Sequence, residues 1–219
     1  MSLEPQRRRY QFSLRWMLGA LTGFAVLFAT AGYLWKAGEE GRRLIRMNDL
    51  ILSNGGYWGR DGVGRLIDLP HANKTQLDTV LKELKTVDGH TSMCFNDGEF
   101  CDAHLKDILC HRGIRVLVLN NTLVTDDGLK QLVVLKELIN LELDNTAITD
   151  AGLEHLAELP ELQNLSLDHD TITDAGLEHL AKLPKLKHLH VTGTKVTEEG
   201  IAKLKRDLPN LEVNVYYGM

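Results

Sequence analysis

The chain has 219 residues, of which 43% are hydrophobic but only 6% aromatic, and a formal net charge of −5. That length suits one domain, or one domain with an appendage. The aliphatic bias calls for a core of Leu, Ile and Val, and the lack of a basic stripe along the later part of the chain argues against nucleic acid as the main partner. The three cysteines Cys94, Cys101 and Cys110 are too few and too unevenly spaced for a disulfide framework or a zinc site. Buried or half-buried thiols are expected, with a Cys94–Cys101 bridge as the alternative in an oxidising compartment.

Residues 1–15 are polar and carry Arg7, Arg8, Arg9 and Arg15. Residues 16–35, Trp16 to Trp35, then run without a charged side chain. At about 1.5 Å per residue this run spans a hydrocarbon core of about 30 Å. Trp16 at one end and Tyr33 and Trp35 at the other match interfacial aromatic belts. The reading is a single-pass transmembrane helix. The competing readings are a signal peptide cut after Ala29-Thr30-Ala31 and a buried soluble helix, against which the uninterrupted apolar circumference argues. The apolar run continues past Ala31 to Trp35, which favours the anchor. The grouped leading arginines place the amino terminus in the cytoplasm and the remainder of the chain outside it.

Residues 36–65 read as a charged juxtamembrane helix to about Leu52, a stop at Asn54-Gly55-Gly56, and a Gly-rich aromatic segment from Tyr57 to Gly64. That segment is the candidate cap for the repeats beyond it, because the first unit of a stack has no neighbour to cover its apolar edge.

Residues 66–219 repeat. Leu66-Ile67-Asp68-Leu69 suits a strand, and Thr75 to Lys85 places Leu77, Val80, Leu81 and Leu84 on one helical face. From there the step is 24 residues: Met93-Cys94-Phe95, Leu117-Val118-Leu119, Leu141-Glu142-Leu143, Leu165-Ser166-Leu167 and Leu189-His190-Val191. Val124-Thr125-Asp126, Ile148-Thr149-Asp150, Ile172-Thr173-Asp174 and Val196-Thr197-Glu198 recur at the same step, each followed by Gly-Leu or Gly-Ile. The last unit slips by one residue and ends on Glu212-Val213-Asn214-Val215. Self-similarity at this period predicts a leucine-rich repeat solenoid, an α/β fold with a parallel sheet on the concave face and helices on the convex face. Within one unit Leu138, Leu141, Leu143, Ile148, Leu153, Leu156 and Leu159 should point inward. Thr149 or Asp150 should cap the following helix, and Gly152 should leave space at a close approach. Thr122, Thr146, Asp170 and Thr194 should satisfy turn backbone groups.

Tyr10-Gln11-Phe12-Ser13-Leu14-Arg15-Trp16-Met17-Leu18 resembles the F-S-L-R membrane leader of many planctomycete proteins. The later units resemble the L-x-L-x-x-T-x-I-T-D-x-G-L leucine-rich repeats of the same bacteria. Together the two resemblances cover most of the chain. They imply a membrane-anchored leucine-rich repeat protein and are specific for fold, not for an activity.

Alternation within the strands sends three columns to the concave face: Ser92, Val116, Asn140, Asn164, His188; then Cys94, Val118, Glu142, Ser166, His190; then Asn96, Asn120, Asp144, Asp168, Thr192. The candidate binding face is Asn140, Glu142, Asp144, Asn164, Ser166, Asp168, His188, His190 and Thr192. His188 and His190, with Asp144, Asp168, His169 and Asp170 nearby, have the chemistry of divalent-metal ligands. Their i,i+2 spacing of about 6.5–7 Å suits one shared ion poorly, so no metal and no cofactor is assigned. His155 and His179 fall on helices facing outward, and His104 and His111 read as structural or exposed. No nucleophile–base pairing, paired carboxylates or phosphate loop is visible, so the expectation is a non-catalytic module recognising a protein or peptide at the cell envelope. The alternative is a structural envelope component with weak self-association through its repeat edges. Metal-assisted hydrolysis at the His188/His190 end is a remote third reading.

Overall fold

The computed structural model describes residues 46–60, 65–85 and 90–215. The predicted span Trp16–Trp35, the leader before it and the first part of the juxtamembrane helix lie outside the described residues. Among the described residues no helix is long and apolar enough to cross a membrane.

The first described element is a helix, α1, at 46–53. It buries Met47 and Ile51. Its end is closed by backbone bonds from Gly55 to the Leu52 carbonyl and from Gly56 to the Ile51 carbonyl, while the Asn54 side chain donates to the Leu50 carbonyl. Gly55 takes the left-handed conformation, φ 78°, that such an ending requires.

Strand β1 (Tyr57–Arg60) then pairs antiparallel with β2 (Arg65–Asp68). From β2 onward every pairing is parallel: β3 (His90–Cys94), β4 (Val116–Val118), β5 (Asn140–Glu142), β6 (Asn164–Ser166), β7 (His188–His190) and β8 (Glu212–Asn214). The eight strands form one sheet in sequence order. Seven steps of about 4.8 Å make it about 34 Å across. Helices α2 (Lys74–Leu84), α3 (Asp102–Ile108), α4 (Asp126–Leu132), α5 (Asp150–Leu156), α6 (Asp174–Leu180) and α7 (Glu198–Asp207) pack in the same order on the other side.

The register explains why the repeat is 24 residues. From β3 to β8 each strand residue sits beside its equivalent 24 positions on: Met93, Leu117, Leu141, Leu165, Leu189 and Val213 form one row. Identical residues therefore stack, and the core is a set of leucine columns. Leu117, Leu141 and Leu189 are wholly buried and Leu165 is 1% exposed. Leu138, Leu143, Ile148, Leu153, Leu156 and Leu159 are buried as well.

Two side-chain ladders bind the units, and they revise the expected roles of the polar motif residues. Asp102 accepts from the backbone N–H and the hydroxyl of Thr125, at 2.9 and 2.6 Å. Asp126 does the same for Thr149, Asp150 for Thr173 and Asp174 for Thr197. The aspartate thus fastens the next unit's helix cap, not its own. The Thr149 hydroxyl does cap its own helix, accepting from Ala151. The glycine of the motif makes room for this reach: a Cβ at Gly128, Gly152, Gly176 or Gly200 would overlap the carboxylate of Asp102, Asp126, Asp150 or Asp174.

The second ladder lies in the turn after each strand. Asp97, Asn121, Asn145, His169 and Gly193 all take positive φ, the conformation that Asn, Asp and Gly accept most readily. Asn121 donates to Asp97 and Asn145 to Asn121, both at 2.7 Å. One position earlier, Asn96 accepts from the Asn120 backbone, Asn120 from Asp144, Asp144 from Asp168 and Asp168 from Thr192. Thr122 and Thr194 donate to the Leu119 and Val191 carbonyls, as turn-satisfying residues should. Thr146 departs from that pattern: its hydroxyl turns to Asp170.

Candidate functional site

The concave strands carry a depression of about 290 Å³ over β5, β6 and β7. It is lined by Asn140, Leu141, Glu142, Asp144, Asn164, Leu165, Ser166, Asp168 and His190. All of the residues predicted for the binding face fall in it except His188 and Thr192. The His188 Nδ1 faces Glu212 at 3.2 Å, and the Thr192 backbone is held by Asp168. At the beginning of the expected columns Ser92 is fully buried and Val118 is 8% exposed, while Cys94, Asn96, Val116 and Asn120 are half-buried.

The polar side chains of the depression are positioned by each other. Asn164 donates to Asn140, and Ser166 donates to Asp144 Oδ1, which also accepts from the Asp168 backbone. Asn120 donates to Glu142 Oε2 at 2.8 Å. Among the described residues the second carboxylate oxygens of Asp144 and Asp168 take no hydrogen bond. The face therefore presents fixed anionic oxygens among amide groups, and none of the residues lining it is Lys or Arg.

Behind this face lies Asp170, which is only 3% exposed. Its Oδ1 accepts from the Thr146 backbone at 2.7 Å and hydroxyl at 3.2 Å, and its Oδ2 is buried without a hydrogen bond. Burial, with smaller contributions from the charges of Asp144 and Asp168, pushes its carboxyl up to about 7 against the opposing bonds from Thr146. The repeat places Asp170 where other units have a turn threonine, a role that requires a donor, and an ionised carboxylate has none.

His188 and His190 turn to different partners. His190 Nε2 lies 3.2 Å from Asn214 Nδ2, and His188 pairs with Glu212. Among the described residues no three His, Cys, Asp or Glu side chains are gathered as ligands. His155 and His179 are half-buried on α5 and α6. His104 and His111 are buried, at 4% and 5% exposure. None of the three thiols is in a disulfide; Cys94 and Cys101 are half-buried and Cys110 is exposed. A smaller hollow of about 160 Å³ sits between α6 and α7, bridged by the exposed Lys203–Glu178 pair. It is a seam between neighbouring helices and gathers no convergent chemistry.

One constellation is not apparent from the sequence motifs. Cys101 Sγ lies 3.3 Å from His104 Nδ1, and His104 Nε2 lies 3.6 Å from Asp78 Oδ1. The available signal was the repeat itself: aligned at 24 residues, Cys101 occupies the place of Thr125 and His104 that of Gly128.

A family model described as Leucine Rich repeat matches residues 182–205, the stretch from just after α6 through β7 into α7. The fold is a leucine-rich repeat solenoid. Among solved structures the chain is similar to internalin C2 of Listeria monocytogenes, at 18% identity and TM-score 0.44 over 69% of this chain and 80% of that one. It is also similar to a leucine-rich repeat protein of Leptospira interrogans, at 19% identity and TM-score 0.45 over 62% of this chain, where the match spans 33% of the other. No curated protein matches the chain. The solenoid assignment rests on the 24-residue register and its ladders.

Proposed function

We propose that this protein is a membrane-anchored recognition module whose concave sheet engages a protein or peptide segment through Lys or Arg side chains. The observation that carries this reading is the depression over β5–β7, where the free oxygens of Asp144 and Asp168 stand beside Glu142 with no cation among the lining residues. A carboxylate pair fixed by backbone donors is pre-organised for an ammonium or guanidinium group. The apolar run Trp16–Trp35 supports tethering to a membrane, and the grouped arginines before it support an extracytoplasmic, cell-envelope location for the repeats.

The test is cross-linking and pull-down from native membranes, comparing intact protein with the triple variant Glu142→Gln, Asp144→Asn, Asp168→Asn. Asn keeps the Oδ1 acceptor that the turn ladder needs, so the fold survives while the charge is removed. Loss of the main partner supports the proposal. Identical partner lists would move recognition to the helices. Orientation is checked separately with a reporter fused after Met219; activity only in the cytoplasm overturns the topology.

A second reading, self-association through the repeat edge, is favoured by one observation. Strand β8 pairs on one side only among the described residues, and such an edge can template another strand. A clean monomer in sedimentation at high protein concentration would remove it.

A further inference from the structure

We propose that Asp170 is a proton-operated latch between two units. While it carries a proton it holds the turn after β6 against the turn after β5; its ionisation releases that turn, and Asp168 with it, from the rim of the concave depression. The repeat marks the place. One position in the turn after each strand is held in successive units by Thr122, Thr146, Asp170 and Thr194. Thr122 and Thr194 close their own turns, each donating its hydroxyl at 2.7 Å to a carbonyl three residues back, that of Leu119 or Val191. An ionised Asp170 has no hydrogen to give in this way. It reaches into the preceding unit instead, and Thr146 gives it both its amide and its hydroxyl. These two turns are thus tied to each other through one carboxyl group.

The geometry makes the tie depend on a proton. Asp170 is 3% exposed, and its Oδ2 is buried without a hydrogen bond. An ionised carboxylate there is a buried charge with one oxygen unmet. A neutral carboxyl places its hydrogen on Oδ2 and leaves Oδ1 to keep both bonds from Thr146. The proton supplies the donor that threonine supplies elsewhere, and the Leu167 carbonyl, three residues back, already receives the Asp170 N–H at 3.4 Å. Burial raises the carboxyl to about 7, and the like charges of Asp144, on the turn after β5, and Asp168, on the same turn, add to the shift. Charged groups on the other neighbouring elements are engaged elsewhere. Asp150 and Asp174, at the starts of α5 and α6, face Thr173 and Thr197, and His169 lies against Gly193. The turn after β7 brings only Thr192, Gly193 and Thr194, none of them charged.

Release of the turn reaches the concave face. Asp168, two residues before Asp170, lines the depression, accepts from the Thr192 amide and gives its own amide to Asp144. A freed turn therefore loosens the Asp144–Asp168 side of the rim. The closed turn holds its proton more tightly than an opened, solvated one, so opening is favoured as pH rises from 3.8 to about 7 and gains nothing further above that. The latch acts on the shape of the depression whatever occupies it.

The test is hydrogen exchange of the full-length protein at pH 5 and pH 8, read by mass spectrometry on peptides and divided by the intrinsic exchange rate at each pH. Protection over 143–147 and 167–171 should fall at least about tenfold between the two. Protection over 92–96, where the Phe95 amide bonds to the Val118 carbonyl on a distant pair of strands, should stay level. Asp170→Asn keeps an oxygen for Thr146 and is neutral at both values, so its protection should not change with pH. Asp170→Thr restores the residue of the other units and should behave alike, which keeps the test open if one variant folds poorly. Both variants retain His169, His188 and His190, so titration of these histidines would survive in them. Equal protection at pH 5 and pH 8 in the unaltered protein would overturn the proposal. So would the same fall in either folded variant, or a fall shared equally by 92–96.

Discussion

The aspartate rung makes the sharpest energetic prediction. Asp150 accepts from Thr173 N at 2.8 Å and Thr173 Oγ1 at 2.6 Å. Replacing it with Ala leaves a half-buried amide and hydroxyl without their acceptor. Hydrogen bonds to a charged group contribute about 1.5–3 kcal/mol each, and partial solvent access lets water replace some of this. Asp150→Ala should therefore lower the unfolding free energy by about 2–4 kcal/mol, read as a lower midpoint in urea titration at unchanged slope. Asp150→Asn keeps an oxygen for the amide and should cost about 1 kcal/mol. A double-mutant cycle with Thr173→Val isolates the hydroxyl's share and should show coupling of about 1–2 kcal/mol. The glycine gives a second check. Gly176→Ala places a Cβ onto Asp150 Oδ1 and close to Leu153, so its cost should shrink when Asp150 is already Ala. An Asp150→Ala protein within about 0.5 kcal/mol of the original, or additive behaviour in both cycles, would refute the ladder as a fastening between units.

Asp170→Asn should raise the thermal midpoint at pH 8 by the equivalent of about 1–3 kcal/mol. The folded carboxyl titrates near about 7 and the unfolded one near 3.8. The folded state therefore holds the proton more tightly, the original protein loses stability as pH rises from 3.8 to about 7, and the gain should vanish near about pH 4. Thermal melts across that range decide it; a pH-independent gain would point to packing instead. Leu165→Ala, at a position 1% exposed between two identical leucines, should cost about 2–5 kcal/mol in the same urea titration. Asn145→Ala should cost more than Asn145→Gly, because Ala meets the positive φ of 53° as well as losing the bond to Asn121; equal midpoints for the two variants would show that the turn conformation carries no strain.

The period, the strand positions and the inward leucines were legible because each depends on local composition repeated in register. The turn at Asp97, Asn121, Asn145, His169 and Gly193 illustrates what was not: the residue types suit positive φ, but the side-chain ladder from Asp97 through Asn121 to Asn145 exists only once the units are stacked. The same holds for the aspartates. Read alone, Thr149-Asp150 looks like the cap of its own helix. Only parallel stacking brings Asp150 to Thr173 in the next unit. On the concave face, alternation sufficed to name the residues around the depression, but it could not show that His188 turns to Glu212 or that Ser92 is enclosed.

In a stack with one register, every unit meets nearly the same neighbours, so packing demands the same residue types at each step. A departure then needs another cause, and comparing the chain with itself becomes a physical test. Three departures stand out. Asp170 replaces a hydroxyl donor with an acid that burial keeps protonated up to about pH 7. Cys101 replaces a capping threonine, and His104 fills the space that glycine elsewhere leaves for a carboxylate. Histidine at 104 fills the space into which an aspartate reaches in the next four units, and the Cys101 amide bonds to its imidazole while Asp78 stays 60% exposed. The pair is explained as a coupled change in which a capping box at the start of α3 replaces the aspartate rung that the next four units share.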